Sequence, residues 1–141
     1  MDIIEAKFGS VDWILAPQVT SPIRSLEDIT SALKLAESDK FDSILSVVKI
    51  EDHFIWGKDK KDNINSLNYD YKNRKRRQVI DKNYLENGSF YLFKPEILRT
   101  YNNRLGGKIS IFQMDKHKMF QIDNEEDLKL CEVIMKGYGY C

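Results

Sequence analysis

The sequence predicts a single α/β domain, and two observations support this prediction. Runs of β-branched and aromatic residues alternate with segments that carry helix caps and helical spacing of apolar residues. The length of 141 residues, with 42% hydrophobic residues, is enough for one core and leaves little room for a second domain. We therefore expect one domain over residues 1–141.

The first fifty residues have strand–helix–strand order. Residues 11–16 form a short β-branched and aromatic run that is typical of a buried strand. Ser25 is a hydroxyl N-cap with the carboxylate of Asp28 three residues later, and apolar residues at helical spacing follow to residue 36. Residues 42–48 resemble a second strand. Within one sheet, this order normally gives a parallel pair.

The middle of the chain differs from what surrounds it. Residues 51–83 are polar, lack periodicity and predict an arm. Residues 89–93 predict a strand, and a short helix is expected over 95–98 because Pro95 suits a first helical position. Residues 109–114 predict another strand, and Asn124 caps a final helix.

Composition excludes several classes of function. With 22 Lys and Arg against 22 Asp and Glu, the net charge of +0 gives no global reason to bind nucleic acid or an anionic membrane. Two cysteines are too few for a disulfide framework and favour a reducing cytoplasm. Neither a signal peptide nor a membrane span is expected.

A polar loop follows the first strand and precedes the first capped helix. Open α/β sheets bind ligands beyond the carboxyl ends of their strands, which is where this loop is expected. The side chains of Gln18, Thr20, Ser21 and Arg24 suit a sugar or a phosphate. The alternative is an ordinary proline-containing loop that leads into a helix.

A basic run extends from Lys72 to Lys82 and includes Arg77. It predicts either a solvated loop or a site for phosphate or carboxylate groups, which arginine binds bidentately. Asn87-Gly88 follows the run. This pair is first of all a turn signal, although the asparagine amide could also bind a ligand.

Asp123 precedes the final helix and is a candidate Mg²⁺ ligand, because magnesium takes one or two carboxylates together with substrate phosphates. Gln121 would point to the same side of an extended segment. The three acidic residues that begin the helix are better explained by its positive end. His53 and His117 receive no role, and no glycine-rich phosphate loop of Walker or Rossmann form is present.

In order and spacing, these segments resemble the acylneuraminate cytidylyltransferases, which couple CTP to a nine-carbon acidic sugar. Residues 18–24 are similar to the family's Gln-Pro-Thr-Ser-Pro-Leu-Arg segment. Residues 76–91 contain Arg-Arg-Gln, Tyr and Asn-Gly-Ser-Phe-Tyr, similar to its Arg-Arg-Gln and Tyr-x-x-Asn-Gly-Ala-x-Tyr segments. Residues 122–128 are similar to its closing Ile-Asp-Thr-Glu-x-Asp-Leu. The resemblance spans residues 11–132.

The resemblance implies a Rossmann-like nucleotide-diphospho-sugar transferase sheet with flanking helices. It also implies homodimerisation through the arm at 51–83, and a site at the sheet edge that the partner subunit completes. CTP and a sialic-acid-like nonulosonic sugar would be the substrates, and Mg²⁺ the cofactor. Arg77 would pair with the sugar carboxylate, and Arg77 and Asp123 would be the catalytic residues. The expected substrate-binding residues are Gln18, Thr20, Ser21, Arg24, Arg77, Gln78, Asn87 and Tyr91, and the expected metal ligands are Asp123 and Gln121.

Three departures from the family pattern stand beside the resemblance. The family's Gly/Arg/Lys-rich loop, which grips the CTP phosphates, has no counterpart here, so we expect an N-terminally truncated, partial domain. Gln121 replaces a metal-binding acid, and Val19 replaces a proline. The alternatives to a complete enzyme are the C-terminal half of a split enzyme and a non-catalytic sugar-binding or dimerisation module.

Overall fold

A four-stranded mixed sheet forms the centre of the computed structural model, which describes residues 2–38, 40–51, 53–74 and 83–140. Its strands lie in the order β1-β5-β2-β6, and a separate two-stranded hairpin is formed by β3 and β4. The elements are α1 (Asp2–Phe8), β1 (Ile14–Pro17), α2 (Leu26–Ala36), β2 (Ser43–Ile50), β3 (Trp56–Lys58), β4 (Ile64–Ser66), β5 (Asn83–Phe93), α3 (Pro95–Tyr101), β6 (Ile109–Met114), a 3₁₀ turn (Lys116–Met119) and α4 (Glu125–Gly137).

The predicted α/β class is confirmed, but the predicted pairing of the first two strands is wrong. β1 and β2 run in the same direction, yet both pair with β5, which lies between them and is antiparallel to each. The physical reason is the composition of residues 90–93 of β5, Phe-Tyr-Leu-Phe, all of which are buried. A strand that is apolar on both faces is stable only when both faces are covered, so it takes a central position.

Each face of the sheet has its own apolar cluster. On one face, Phe90 and Leu92 pack with Ala32 and Ala36 of α2. On the other face, Tyr91 and Phe93 pack with Ile97 of α3. Successive side chains of β5 therefore point to opposite faces of the sheet, as the pleat of a strand requires.

Both predicted helix caps are confirmed. Ser25 accepts a hydrogen bond from the backbone N–H of Asp28, and the Asp28 carboxylate accepts one from the backbone N–H of Ser25. Asn124 and Asp127 form the same reciprocal arrangement at the start of α4. Helix α1 was not predicted, and an ion pair between Glu5 and Arg99 joins it to α3.

Asn87-Gly88 bends a strand and does not connect two strands. β5 begins at Asn83, six residues before the predicted start at Ser89. β2 pairs with β5 on both sides of the dipeptide, and the register shifts between Leu45 and Val47. Gly88 has a φ of 62°, a left-handed conformation that glycine adopts without steric cost. The dipeptide therefore lies in a bulge inside the central strand.

The predicted arm contains the β3–β4 hairpin, and the aromatic side chains in and beside this hairpin contact one another. Phe54 lies 4.4 Å from Tyr69 between ring centroids, and Trp56 lies 5.4 Å from Tyr71. Ile50, the last residue of β2, pairs with Asn83, the first residue of β5. The arm therefore leaves and re-enters the domain at the same edge of the sheet. Within the described ranges, no helix is long and apolar enough to cross a membrane.

Candidate functional site

The candidate site lies at the edge where β1, β2 and β6 end. β6 is parallel to β2, and β1 has the same direction, so the carboxyl ends of all three strands meet at this edge. β5 enters the sheet there from the arm. The loop at residues 18–24 follows β1, and residues 120–124 follow the 3₁₀ turn after β6. This is the edge at which open α/β sheets bind ligands.

Gly88 is the point at which the site's segments converge. A Cβ atom at this position would lie 3.0 Å from Oε1 of Gln18 and 3.2 Å from Nε2 of Gln121. Such distances are tighter than ordinary contacts, so the absence of a side chain lets both glutamine amides approach the bulge. The structure thus brings together Gln18 and Gln121, which lie 103 positions apart in the sequence.

Arg24 holds the loop at residues 18–24 in place. Its Nη1 lies within hydrogen-bonding distance of three backbone carbonyl oxygens, those of Gln18 at 3.1 Å, Ser21 at 2.6 Å and Ser89 at 3.1 Å. The backbone N–H of Gln18 also donates to the Ser89 carbonyl at 3.0 Å. Arg24 therefore connects the loop to the bulge of β5, a structural task that its position in the sequence did not indicate.

Ser21 and Asn87 are buried and are hydrogen-bonded to each other at the junction where the loop at residues 18–24 meets the bulge of β5. The Ser21 hydroxyl donates to the Asn87 carbonyl at 3.2 Å. The Asn87 amide nitrogen donates to the Lys118 carbonyl at 2.9 Å and lies 3.3 Å from the sulfur of Met114. These polar groups are hydrogen-bonded within the protein, as buried polar groups normally are, and they fix the backbone around Gly88.

Lys118 was not predicted to have a role, yet it is buried beside this junction. Its ammonium lies 2.9 Å from both carboxylate oxygens of Asp28 and 3.2 Å from that of Asp115. Burial alone would raise the pKa of Asp28, but the hydrogen bonds from Lys118 and Ser25 outweigh it and lower that pKa below 3.8. Burial alone would lower the pKa of Lys118, and its pairing with Asp28 raises it above 10.5. The pair is therefore ionised at neutral pH.

Residues 120–124, which include the expected metal ligands, are held in place by backbone hydrogen bonds. The backbone N–H of Ile122 donates to the Thr20 carbonyl at 2.8 Å. The Asp127 carboxylate accepts hydrogen bonds from the backbone N–H groups of Asp123 at 3.0 Å and Asn124 at 3.2 Å. The Asp123 side chain is exposed. It is thus available to solvent at the site edge, next in sequence to the cap of α4.

The donor set at this edge is one carboxylate and one amide. In the part of the chain that the structure describes, no group of three or more His, Cys, Asp and Glu residues could hold a metal ion. A single carboxylate with a neutral oxygen donor suits Mg²⁺ that is bound jointly with substrate phosphates, because magnesium keeps most of its ligands from phosphate and water. The residues present therefore suit a metal ion that the protein binds together with substrate phosphates. They do not provide enough ligands to hold a metal ion alone.

Tyr91 lies on the other face of the sheet from Phe90, in the cluster with Ile97. Its hydroxyl donates a hydrogen bond to Glu86, and the guanidinium of Arg104 lies 4.0 Å from the centre of its ring. Burial, with the Glu86 hydrogen bond, raises the pKa of Tyr91 to about 12, so the phenol is protonated at neutral pH. The side chain is thus a hydrogen-bond donor fixed toward Glu86.

Arg77 and Gln78, and most of the basic run, lie outside the described residues. Lys72 and Arg74 at its start are described and exposed, and the Arg74 guanidinium lies 4.1 Å from the centre of the Phe54 ring. The predicted roles of Arg77 and Gln78 therefore stay predictions.

The fold is similar to that of a solved bacterial synthase. The chain superposes on the 4-diphosphocytidyl-2C-methyl-D-erythritol synthase of Anaerococcus prevotii with a TM-score of 0.58, covering 96% of this chain and 64% of that protein at 10% sequence identity. At this identity the likeness concerns the fold alone. The likeness supports the predicted Rossmann-like sheet with flanking helices.

The sequence is similar to named cytidylyltransferases over nearly its whole length. It is 33% identical to the N-acylneuraminate cytidylyltransferase of Oncorhynchus mykiss and 31% identical to N-acylneuraminate cytidylyltransferase A of Danio rerio, each over 92% of this chain. It is also 25% identical, over 89% of its length, to post-translational flagellin modification protein B of Campylobacter coli. These relatives confirm the resemblance that the motifs predicted.

The chain spans only part of these relatives, 30% of the two fish proteins and 53% of the Campylobacter protein. No protein-family model matches the sequence.

Proposed function

We propose that the chain forms the sugar-binding part of a nucleotidyltransferase that couples CTP to a sialic-acid-like nonulosonic acid. The observation that carries this proposal is the convergence of the three family-like segments at one sheet edge, with Gln18 and Gln121 on either side of Gly88. The similarity to N-acylneuraminate cytidylyltransferases over 92% of the chain supports the same assignment.

In the proposed reaction, the anomeric hydroxyl oxygen of the sugar attacks the α-phosphorus of CTP. A bond forms between that oxygen and phosphorus, the bond from phosphorus to the bridging oxygen breaks, and pyrophosphate leaves with the electron pair. The hydroxyl proton passes to solvent or to a base. Positioning of the sugar and neutralisation of phosphate charge supply the catalysis in such a transfer.

The chain's own residues would hold the sugar. The amides of Gln18 and Gln121 offer both donors and acceptors to its hydroxyl and amide groups. Arg77 is the proposed partner of the sugar carboxylate, since a guanidinium binds a carboxylate with two parallel hydrogen bonds. Thr20 and Gln78 are proposed contacts, and Asn87, Ser21 and Arg24 would act by fixing the loop and the bulge that present the glutamines.

Asp123 and Gln121 are the proposed ligands of Mg²⁺, which would supply charge neutralisation at the phosphates. The exposed Asp123 and the half-buried Gln121 at the site edge suit a metal that arrives with the nucleotide. We also propose that the arm at 51–83 mediates homodimerisation in a cytoplasmic enzyme, since apolar and aromatic side chains in and beside its hairpin are exposed, namely Ile55, Trp56 and Tyr71.

The test is pyrophosphate release from CTP with Mg²⁺ and N-acetylneuraminate or a related nonulosonic acid, by the purified chain mixed with the N-terminal part of a related cytidylyltransferase that supplies the CTP-binding loop. Asp123→Ala removes the proposed carboxylate ligand, and Glu132→Ala is the control because it removes an exposed carboxylate of α4. Turnover that Asp123→Ala alone abolishes is the expected result. Equal turnover in both variants would overturn the role of Asp123.

A second candidate function is a non-catalytic sugar-binding module, and the neutral amide of Gln121 at a metal position favours it. In that case N-acetylneuraminate binds to the chain, whereas pyrophosphate release stays at background, including when CTP and Mg²⁺ are saturating. Calorimetric titration of the sugar, run beside the pyrophosphate assay, distinguishes the two functions.

A further inference from the structure

Lys118 is one of the few charged residues among the described ones that are buried, with 6% of its surface exposed. Its charged partner Asp28 is 8% exposed and lies 90 positions earlier, in the first turn of α2. A buried ion pair between such distant segments is costly to desolvate and is a weak source of stability. The role of the Asp28–Lys118 pair is therefore inferred from its position in the fold and not from its contribution to stability.

The two ends of Lys118 have different partners. Its ammonium contacts Asp28, and its backbone carbonyl accepts the hydrogen bond from the Asn87 amide at 2.9 Å. Asn87 in turn precedes Gly88, around which the side chains of Gln18 and Gln121 meet. A continuous chain of contacts thus leads from α2 through Lys118 to the bulge.

The same aspartate also caps α2. The Asp28 carboxylate accepts hydrogen bonds from the backbone N–H of Ser25 at 2.7 Å and from its hydroxyl at 2.8 Å. Ser25 directly follows Arg24, the residue that holds the Gln18 carbonyl. Asp28 therefore binds both Ser25, which follows the loop at 18–24, and the ammonium of Lys118.

From these contacts we propose that Lys118 is a positioning residue of the candidate site, which sets the Asn87-Gly88 bulge by presenting its carbonyl to Asn87 while Asp28 anchors its ammonium. This inference rests on the proposed function for its ligand, a nonulosonic acid. Lys118 does not touch that ligand. It fixes the backbone that the two glutamines approach.

The test uses the double variant Asp28→Asn/Lys118→Met, which removes both charges and keeps an oxygen for the cap of α2. The matched control is Asp42→Asn/Lys94→Met, the same chemical change in the pair of 3.3 Å at the opposite edge of the sheet. Lys118→Arg keeps the charge and serves as the conservative variant.

Two readouts are measured on the full chain. The first is the exchange rate of the Asn87 side-chain amide protons by NMR, which reports the hydrogen bond to Lys118 directly. The second is the Kd of N-acetylneuraminate by calorimetry. For Asp28→Asn/Lys118→Met we expect exchange to accelerate and Kd to rise about tenfold, the order expected when a hydrogen-bonding arrangement at a ligand is lost. We expect Lys118→Arg and the control to resemble the original protein.

An unchanged Asn87 exchange rate in a folded Asp28→Asn/Lys118→Met variant would overturn the proposal. A lower melting temperature with unchanged Kd and exchange would also overturn it, because the pair would then be merely structural. If the original chain binds no sugar, the proposed function fails, and the exchange rate alone decides whether Lys118 sets the bulge.

Discussion

The sheet edge around Gly88 and the hairpin of the arm are built in opposite ways. At the sheet edge, contacts join residues far apart in the sequence, such as Ser21 to Asn87 and Lys118 to Asp28, and the groups involved are buried. In the arm, Phe54 and Tyr69 contact each other within one short excursion, and Trp56 is 46% exposed. The sheet edge therefore depends on contacts across the whole domain, whereas the arm depends on contacts between residues close in the sequence.

The largest expected difference between the two regions is in stability. Phe90 is fully buried in β5 and packs 5.7 Å from Phe112 between ring centroids. We expect Phe90→Ala to lower the free energy of unfolding by about 3 to 5 kcal/mol. Trp56→Ala should cost about 1 kcal/mol in the monomer, the contribution of exposed aromatic pairs. Urea denaturation of the two variants measures this, and equal losses would break the comparison.

A smaller effect is expected for Gly88→Ala. A left-handed φ costs an L-residue about 1 to 2 kcal/mol, and the new methyl group would also crowd Gln18 and Gln121. Gly139→Ala is the control, because Gly139 has a φ of 72° with nothing within 4 Å of the new atom. We expect Gly88→Ala to cost more stability than the control and to weaken sugar binding, which the control should leave intact.

The Asp28–Lys118 pair predicts a pH dependence at the sheet edge. Because the pKa of Asp28 is lowered, its stabilising effect is present above its ordinary value of 3.8 and fades as the pH falls through the lowered value. Because the pKa of Lys118 is raised, its effect is present below 10.5 and fades at still higher pH.

The stability difference between the original chain and Asp28→Asn/Lys118→Met should therefore be constant from about pH 5 to 9 and shrink below about pH 4. Denaturant titrations at several pH values measure it. A difference that shrinks between about pH 5 and 7 would contradict the assignment, since neither group titrates there.

The smallest effect concerns two buried serines of the bulge. The Ser46 hydroxyl accepts a hydrogen bond from the backbone N–H of Phe90 at 3.0 Å. Among the described residues, Ser89 Oγ is a buried side-chain oxygen without a hydrogen-bond partner. We expect Ser46→Ala to cost about 1 to 2 kcal/mol and Ser89→Ala to be neutral or stabilising by up to about 1 kcal/mol. The opposite order in thermal denaturation would show that the hydroxyl of Ser89 is satisfied in solution.

Local signals in the sequence were enough to predict the elements of the domain. The caps at Ser25 and Asn124 and the strand at Ile109–Met114 are found where residue type and spacing indicated. The loop at 18–24 could be placed at the carboxyl edge of the sheet because a strand precedes it and a helix follows it. These predictions depend only on neighbours in the sequence.

The parts that could not be predicted depend on distant residues. Asn-Gly is a turn signal in isolation, and only the pairing of β2 on both sides of it makes it a bulge in β5. Lys118 stands in a Lys-His-Lys run that is typical of a surface, and only Asp28 explains its burial. The sequence therefore indicated residues of the candidate site but not the contacts that hold these residues together.

The most direct test of the central claim, that the edge around Gly88 binds the sugar, is calorimetric titration of N-acetylneuraminate into three proteins. These are the original chain, Gln18→Ala, and Asn103→Ala, whose exposed amide lies between α3 and β6 at the opposite edge of the sheet. We predict that Gln18→Ala weakens binding about five- to tenfold, as the loss of a hydrogen-bonding group does, and that Asn103→Ala leaves it unchanged. Equal affinity in all three proteins would contradict the account.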